Sequence, residues 1–162
     1  MNARWIIIDG YSLLHHDAKF AAAGPRGMAA AREKLIGRLG SAGAALAERI
    51  TVVFDGAGYI GQRGPQAPSP IEVVFSSSAE TADSIIERLA HTTSRPDEVL
   101  VVTSDRAERE TVEAAGVPTL GGTDFLVQLD AAEKALHRTS ASFKRSVPRP
   151  TLGDFFPPSA KK

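Results

Sequence analysis

Five acidic residues sit where apolar runs end. Asp9 closes the run WIIID, Asp55 follows ITVVF, and Asp105 follows EVLVVTS. Glu80 and Asp83 come just after IEVVF and a serine-rich link. Carboxylates brought together from such positions repel one another. A hard divalent cation, Mg²⁺ or Mn²⁺, is the usual remedy, held by oxygen ligands and keeping several waters. A water acidified by that ion can attack a phosphodiester. Each acid also has a structural reading, because Asp83 and Asp105 would serve as cap or first-turn residues of any helix. Asp9 is harder to explain that way, because a carboxylate directly after an apolar run at a strand's end has no helix to cap unless one starts within a few residues. The chain contains no cysteine, which excludes thiolate chemistry and a disulfide framework and suits a reducing cytoplasm.

The elements that must position these acids follow from hydrophobic periodicity. Short, wholly apolar runs read as strands buried on both faces, and so as a parallel sheet covered by helices. Five are expected: Trp5 to Asp9, Ile50 to Phe54, Ile71 to Phe75, Glu98 to Thr103 and Val117 to Leu120. Helical spacing predicts helices over Met28 to Leu39, about Glu80 to His91, Ser104 to about Ala115, and about Thr123 to Leu136. Residues 57–70, rich in glycine and proline, read as a surface loop. Strand and helix alternate as in a doubly wound α/β fold, whose ligands bind at the carboxyl edge where strand order reverses. Asp9 and Asp105 face each other there if the first and fourth strands are neighbours.

The chain's 162 residues suit one domain with a proper core, and no run approaches a membrane span. Net charge is zero but unevenly placed. Residues 1–137, the expected domain, carry thirteen basic and eighteen acidic groups, and residues 138–162 carry six basic groups against Asp154. The latter read as a basic, loosely ordered tail suited to nucleic acid. Within it the L-x-x-F-F pattern from Leu152 to Phe156 is expected to fold back or to dock on a partner.

Four motifs in order, IIIDGYSLLH, TVVFDG, VVFSSSAETADSIIERL and VVTSDRAERETVEAAG, resemble the YacP-type NYN-domain proteins of the PIN-like ribonuclease superfamily. The likeness runs from Trp5 to about Leu136. It implies a PIN-like, Rossmann-like three-layer α/β/α domain with a central parallel sheet, and metal-dependent endoribonuclease action on single-stranded or loop RNA in the cytoplasm. By the same resemblance Asp9, Asp83 and Asp105 are the metal-site acids, and Glu80 is an outer ligand or positions water. Thr103, Ser104 and Arg106 flank the third acid and are expected to contact phosphate, as is Ser76, with Asp55 behind the ligands. Ser12 stands where the family has the asparagine of D-G-Y-N, and a small hydrogen-bonding group is retained. Ser84 stands where a second aspartate commonly follows E-T-A-D, which removes charge from any second metal. That departure motivates the alternative of a catalytically weak RNA-binding or ribosome-associated module. A phosphatase of the haloacid dehalogenase type would need an aspartate two residues after Asp9, and the residue is Tyr11.

Overall fold

Five apolar runs become five parallel strands. The computed structural model describes residues 3–16, 24–56 and 71–146. The strands are β1 (Trp5–Asp9), β2 (Arg49–Phe54), β3 (Ile71–Phe75), β4 (Val99–Val102) and β5 (Thr119–Leu120), in the spatial order β3-β2-β1-β4-β5. Every pairing is parallel. The helices are α1 (Gly10–His16), α2 (Gly24–Ala42), α3 (Ala82–Thr92), α4 (Arg106–Ala114) and α5 (Gly122–Ser146).

Alternate residues of each strand go to opposite layers, as the two-residue period of a strand requires. Ile6, Ile8, Val52, Phe54 and Val102 pack with Leu13, Leu14, Leu35, Leu39, Phe125 and Leu129 of α1, α2 and α5. Ile7, Val53, Val99 and Val101 pack with Ile85 and Ile86 of α3 and Val112 of α4. Covering on both sides explains why the strands carry almost no polar residue. Thr51 is the buried exception within the described strands, and its hydroxyl accepts from Trp5 Nε1 at 3.0 Å and donates to Glu72 at 3.1 Å. Its burial therefore leaves no polar group unmatched.

Strand order reverses between β1 and β4, which are hydrogen-bonded neighbours from Trp5 with Val99 to Ile8 with Val102. The carboxyl ends of these strands carry Asp9 and the link to Asp105, the arrangement on which the sequence argument depended.

Helix limits depart from the sequence reading in four places. α1 starts at Gly10, directly after β1, where no helix was assigned, and it runs to His16, into the segment 15–26 read as a mixed loop. α2 spans Gly37 and Gly40 without breaking, the packed face outweighing their poor propensity. α3 begins at Ala82, so Glu80 precedes it. α5 continues to Ser146, so residues 139–146 are helical rather than loosely ordered. No glycine or proline interrupts the chain between His137 and Val147. The expected loop 57–70 and the segment from Leu152 to Phe156 lie outside the described residues. Among the described residues no helix is long and apolar enough to cross a membrane.

Gly10 is where β1 meets α1, and a Cβ there would fall inside the contact envelope of the Phe54 ring. Phe54 is fully buried and has nowhere to move. Gly10→Ala is expected to destabilise the fold by about 1–3 kcal/mol, as overpacking does. Urea unfolding checks this, with Gly37→Ala, at a helical site open to solvent, as the control expected to hold or raise stability.

Candidate functional site

Three helices begin at the carboxyl edge of the sheet, each capped by a side chain that accepts from the third helical amide. Asp9 Oδ1 accepts from Ser12 N at 3.0 Å, and Asp105 Oδ1 accepts from Glu108 N at 3.0 Å. The Thr81 hydroxyl accepts from Ser84 N at 3.2 Å. Asp9 thus does have a helix to cap, the case left open in the sequence reading, because α1 starts one residue later. The caps fix the two aspartates to the backbone, and the helix N-termini offset part of their mutual repulsion.

Asp9, Asp83 and Glu108 each offer a carboxylate oxygen within 4.8 Å of the other two. Asp9 and Asp83 were expected here, and Glu108 was not singled out. Its position three residues after Asp105 has the spacing of a capping box, in which the glutamate turns back to the cap residue's own amide. That amide is already taken, since Asp105 N donates to the Thr103 hydroxyl at 3.1 Å. Glu108 is instead 3% exposed, and neither of its oxygens has a hydrogen-bond partner. A buried carboxylate without a donor is costly unless a cation balances it. The donor set, all carboxylate oxygen and partly buried, suits a hard divalent ion. The three groups could hold such an ion.

An open cavity of about 600 Å³ lies over the cluster. Of the expected residues, Asp9, Ser12, Asp55, Asp83, Ser104 and Asp105 line it, joined by Tyr11, His15 and His16. Asp105 therefore lies at the rim beside the cluster and acts on it through the backbone of α4. Ser12 Oγ accepts from Ser104 N at 2.9 Å, and Ser104 Oγ accepts from Gly122 N at 3.1 Å. This relay ties the starts of α1, α4 and α5 together, and it is the task that serine performs in place of asparagine. Ser76 is buried beneath the rim, donating to Asp55 Oδ1 and accepting from Gly56 N, both at 3.0 Å. Tyr11 stands edge-on to Phe54 and accepts from Arg32 at 3.3 Å.

Four expected residues do not line the cavity: Ser76 and Thr103 are buried, out of reach of a phosphate, and Glu80 and Arg106 are paired elsewhere. Glu80 forms a two-pronged ion pair with Arg88 at 2.9 and 3.1 Å, which holds its carboxyl below the usual range. Arg106 is exposed and pairs with Glu110 at 3.0 Å along its own helix. Such surface pairs have small net worth, but the geometry turns both side chains away from the acidic cluster.

Burial and the neighbouring carboxylates push Glu108 up to about 7, only partly countered by the nearby Thr103 hydroxyl. Asp9 is raised in the same sense, chiefly by burial and then by Asp83 and Asp105, against the opposing pull of the Ser12 amide.

A raised carboxyl stabilises the fold fully below its unfolded pKa of 4.5, and that stability is lost as pH rises through about 7. In chelator, wild type is expected to lose about 1–3 kcal/mol more than Glu108→Gln between pH 4.5 and 8. At pH 8, Mn²⁺ should restore stability to wild type much more than to the variant, and parallel pH profiles would refute the assignment. Thr103→Val should leave the Asp105 amide free to draw Glu108 back into a capping box. The expected readout is weaker stabilisation by Mn²⁺ at pH 8, measured by thermal unfolding.

Comparison with known proteins agrees with this architecture. The family model for the YacP-like NYN domain matches residues 6–155. The uncharacterized protein YacP of Bacillus subtilis (strain 168) is 25% identical over 134 residues, 82% of this chain and 79% of its own. The crystal structure of Rae1 (YacP) from Bacillus subtilis superposes with a TM-score of 0.72 at 24% identity, covering 90% of this chain and 83% of that one. A mutant form of the same protein gives 0.72 at 23% identity, with 88% and 85% covered. The chain belongs to the YacP-like NYN domain family, whose fold is of the ribonuclease type.

Proposed function

We propose that the protein is an endoribonuclease that hydrolyses phosphodiester bonds in single-stranded or loop RNA with the help of Mg²⁺ or Mn²⁺. The observation that carries this reading is the buried, unpartnered Glu108 carboxylate set against Asp9 and Asp83. Asp9, Asp83 and Glu108 would hold the ion, with Asp105 beside them. When bound, a divalent ion neutralises phosphoryl charge and supplies an acidified water for attack on phosphorus. The chain's own groups do the rest. Asp105 and Thr103 aim Glu108 into the cluster, and the Ser12–Ser104 relay keeps the two aspartate-bearing junctions in register. Tyr11, propped by Phe54 and Arg32, offers a ring at the rim on which an unpaired base can stack. Among the described lining residues there is no lysine or arginine, so phosphate approaches an uncompensated negative site unless a cation is bound.

One observation favours a second reading, an RNA-binding or ribosome-associated module with weak catalysis. Ser84, where the family's motif carries another acid, hydrogen-bonds to the cap residue Thr81 at 2.9 Å and adds no charge to the cluster.

Cleavage of a mixed RNA pool tests the two. Asp9→Asn, Asp83→Asn and Glu108→Gln should each lower the divalent-dependent rate by about 100-fold or more, on the scale of lost electrostatic stabilisation. Asp105→Asn keeps the cap and should lose less. Salt-dependent RNA binding with no cleavage in either Mg²⁺ or Mn²⁺ selects the second reading. Cleavage that Asp9→Asn leaves untouched refutes the first.

A further inference from the structure

The last helix leaves the body of the protein and becomes basic at the same point. α5 starts beside the cavity, where Gly122 N donates to Ser104 Oγ. It runs back to Arg38 near the C-terminal end of α2, whose guanidinium holds Glu133 at 2.8 and 2.9 Å and also Asp130. From Lys134 to Ala141 every residue is exposed. Between Glu133 and Asp154 the sequence has no acid, while Lys134, His137, Arg138, Lys144 and Arg145 follow one another. At about 100° per residue Lys134, His137 and Arg138 fall within an arc of roughly 100°. Leu136, 46% exposed, lies on the other side with Ala135, Thr139 and Ser140.

We infer that this stripe is a second RNA contact, which grips the phosphate backbone of a substrate whose scissile bond lies in the acidic cavity. The inference rests on the nuclease reading. Charge complementarity selects the occupant, because basic residues along an exposed stretch of helix without an acid suit a polyanion. A second copy of the chain packed symmetrically through this stretch would bring the same positive charge against it. From Gly122 to Arg138 the helix covers roughly 24 Å at 1.5 Å per residue. At about 3.4 Å per stacked nucleotide that distance is roughly seven nucleotides. RNA shorter than this reaches the cavity but not the stripe.

The test uses the full chain with the double variant Lys134→Gln/Arg138→Gln and labelled RNAs of about five and about thirty nucleotides, on either side of that span. Binding is followed by fluorescence anisotropy in chelator across a salt series, and cleavage is measured separately with Mn²⁺. For the longer RNA the slope of log affinity against log salt should shrink by about 1.4, two contacts at about 0.7 each for a single strand. Binding and cleavage of the short RNA should match wild type, as should the thermal unfolding midpoint. An unchanged slope on the long RNA overturns the inference, and the nuclease reading stands if wild type still cuts. A reduced slope with no cleavage by any form supports the contact and removes the nuclease reading. Concentration-dependent dimerisation by sedimentation, lost in the double variant, overturns the inference in favour of a self-interface.

Discussion

Negative side chains from separate parts of the chain are forced together at one edge of a parallel sheet, and the backbone does the forcing. Asp9 and Asp105 are each bound by an amide of the helix they cap, so neither can rotate away from its neighbours without uncapping a helix. A cap of this kind contributes about 1 kcal/mol, enough to hold a carboxylate near another in partly solvated surroundings. Glu108 carries the consequence. It is buried among like charges with only the nearby Thr103 hydroxyl to offset them, and its carboxyl is pushed up to about 7.

The constraint works because the sheet fixes the distance between its sources. β1 and β4 are hydrogen-bonded neighbours with opposite exits, since the chain leaves β1 toward β2 and β3 and returns on the other side to β4 and β5. No helix or loop has to pass between their carboxyl ends, and a crevice opens there. Ser12, Ser104 and Gly122 then bridge the crevice wall by hydrogen bonds. Ser76 does the same below it for the ends of β2 and β3. Short polar side chains close the gaps that strand register leaves.

The sheet was legible because strands buried on both faces are written as unbroken apolar runs, whereas the run of Asp9 lay beside that of Asp105 only as a condition, which the strand order meets. The start of α1 was not legible. Ile8, Leu13 and Leu14 are all core residues, so the core pattern passes from strand to helix across only Asp9 to Ser12, and periodicity over so few residues cannot mark the change. Glu108 was hidden for a different reason. Its spacing from Asp105 is that of a local capping box, and what diverts it is a hydroxyl from the strand end, Thr103, that occupies the competing amide. Glu80 departs in the opposite direction, since its motif suggested an outer ligand or a water-positioning group while Arg88, two turns along α3, holds both of its oxygens. Pairwise competition in space decides such residues, and spacing along the chain does not encode it.

A cavity that concentrates carboxylates to attract a cation also repels the polyanion it would act on. Cationic side chains placed among those acids would relieve the repulsion but would pair with the carboxylates and weaken the pull on a metal ion. Separation resolves the conflict. At physiological ionic strength fields between exposed charges fade over about 8 Å, and the stripe on α5 begins well beyond that from Gly122, roughly 18 Å along the helix at Lys134. Positive charge at that distance can attract a long strand without neutralising the cluster. The two charge populations seen in the sequence, an acidic body and a basic C-terminal end, therefore need the helix between them as a spacer. Its continuation past Glu133, which packing against the body does not demand, is what supplies the distance.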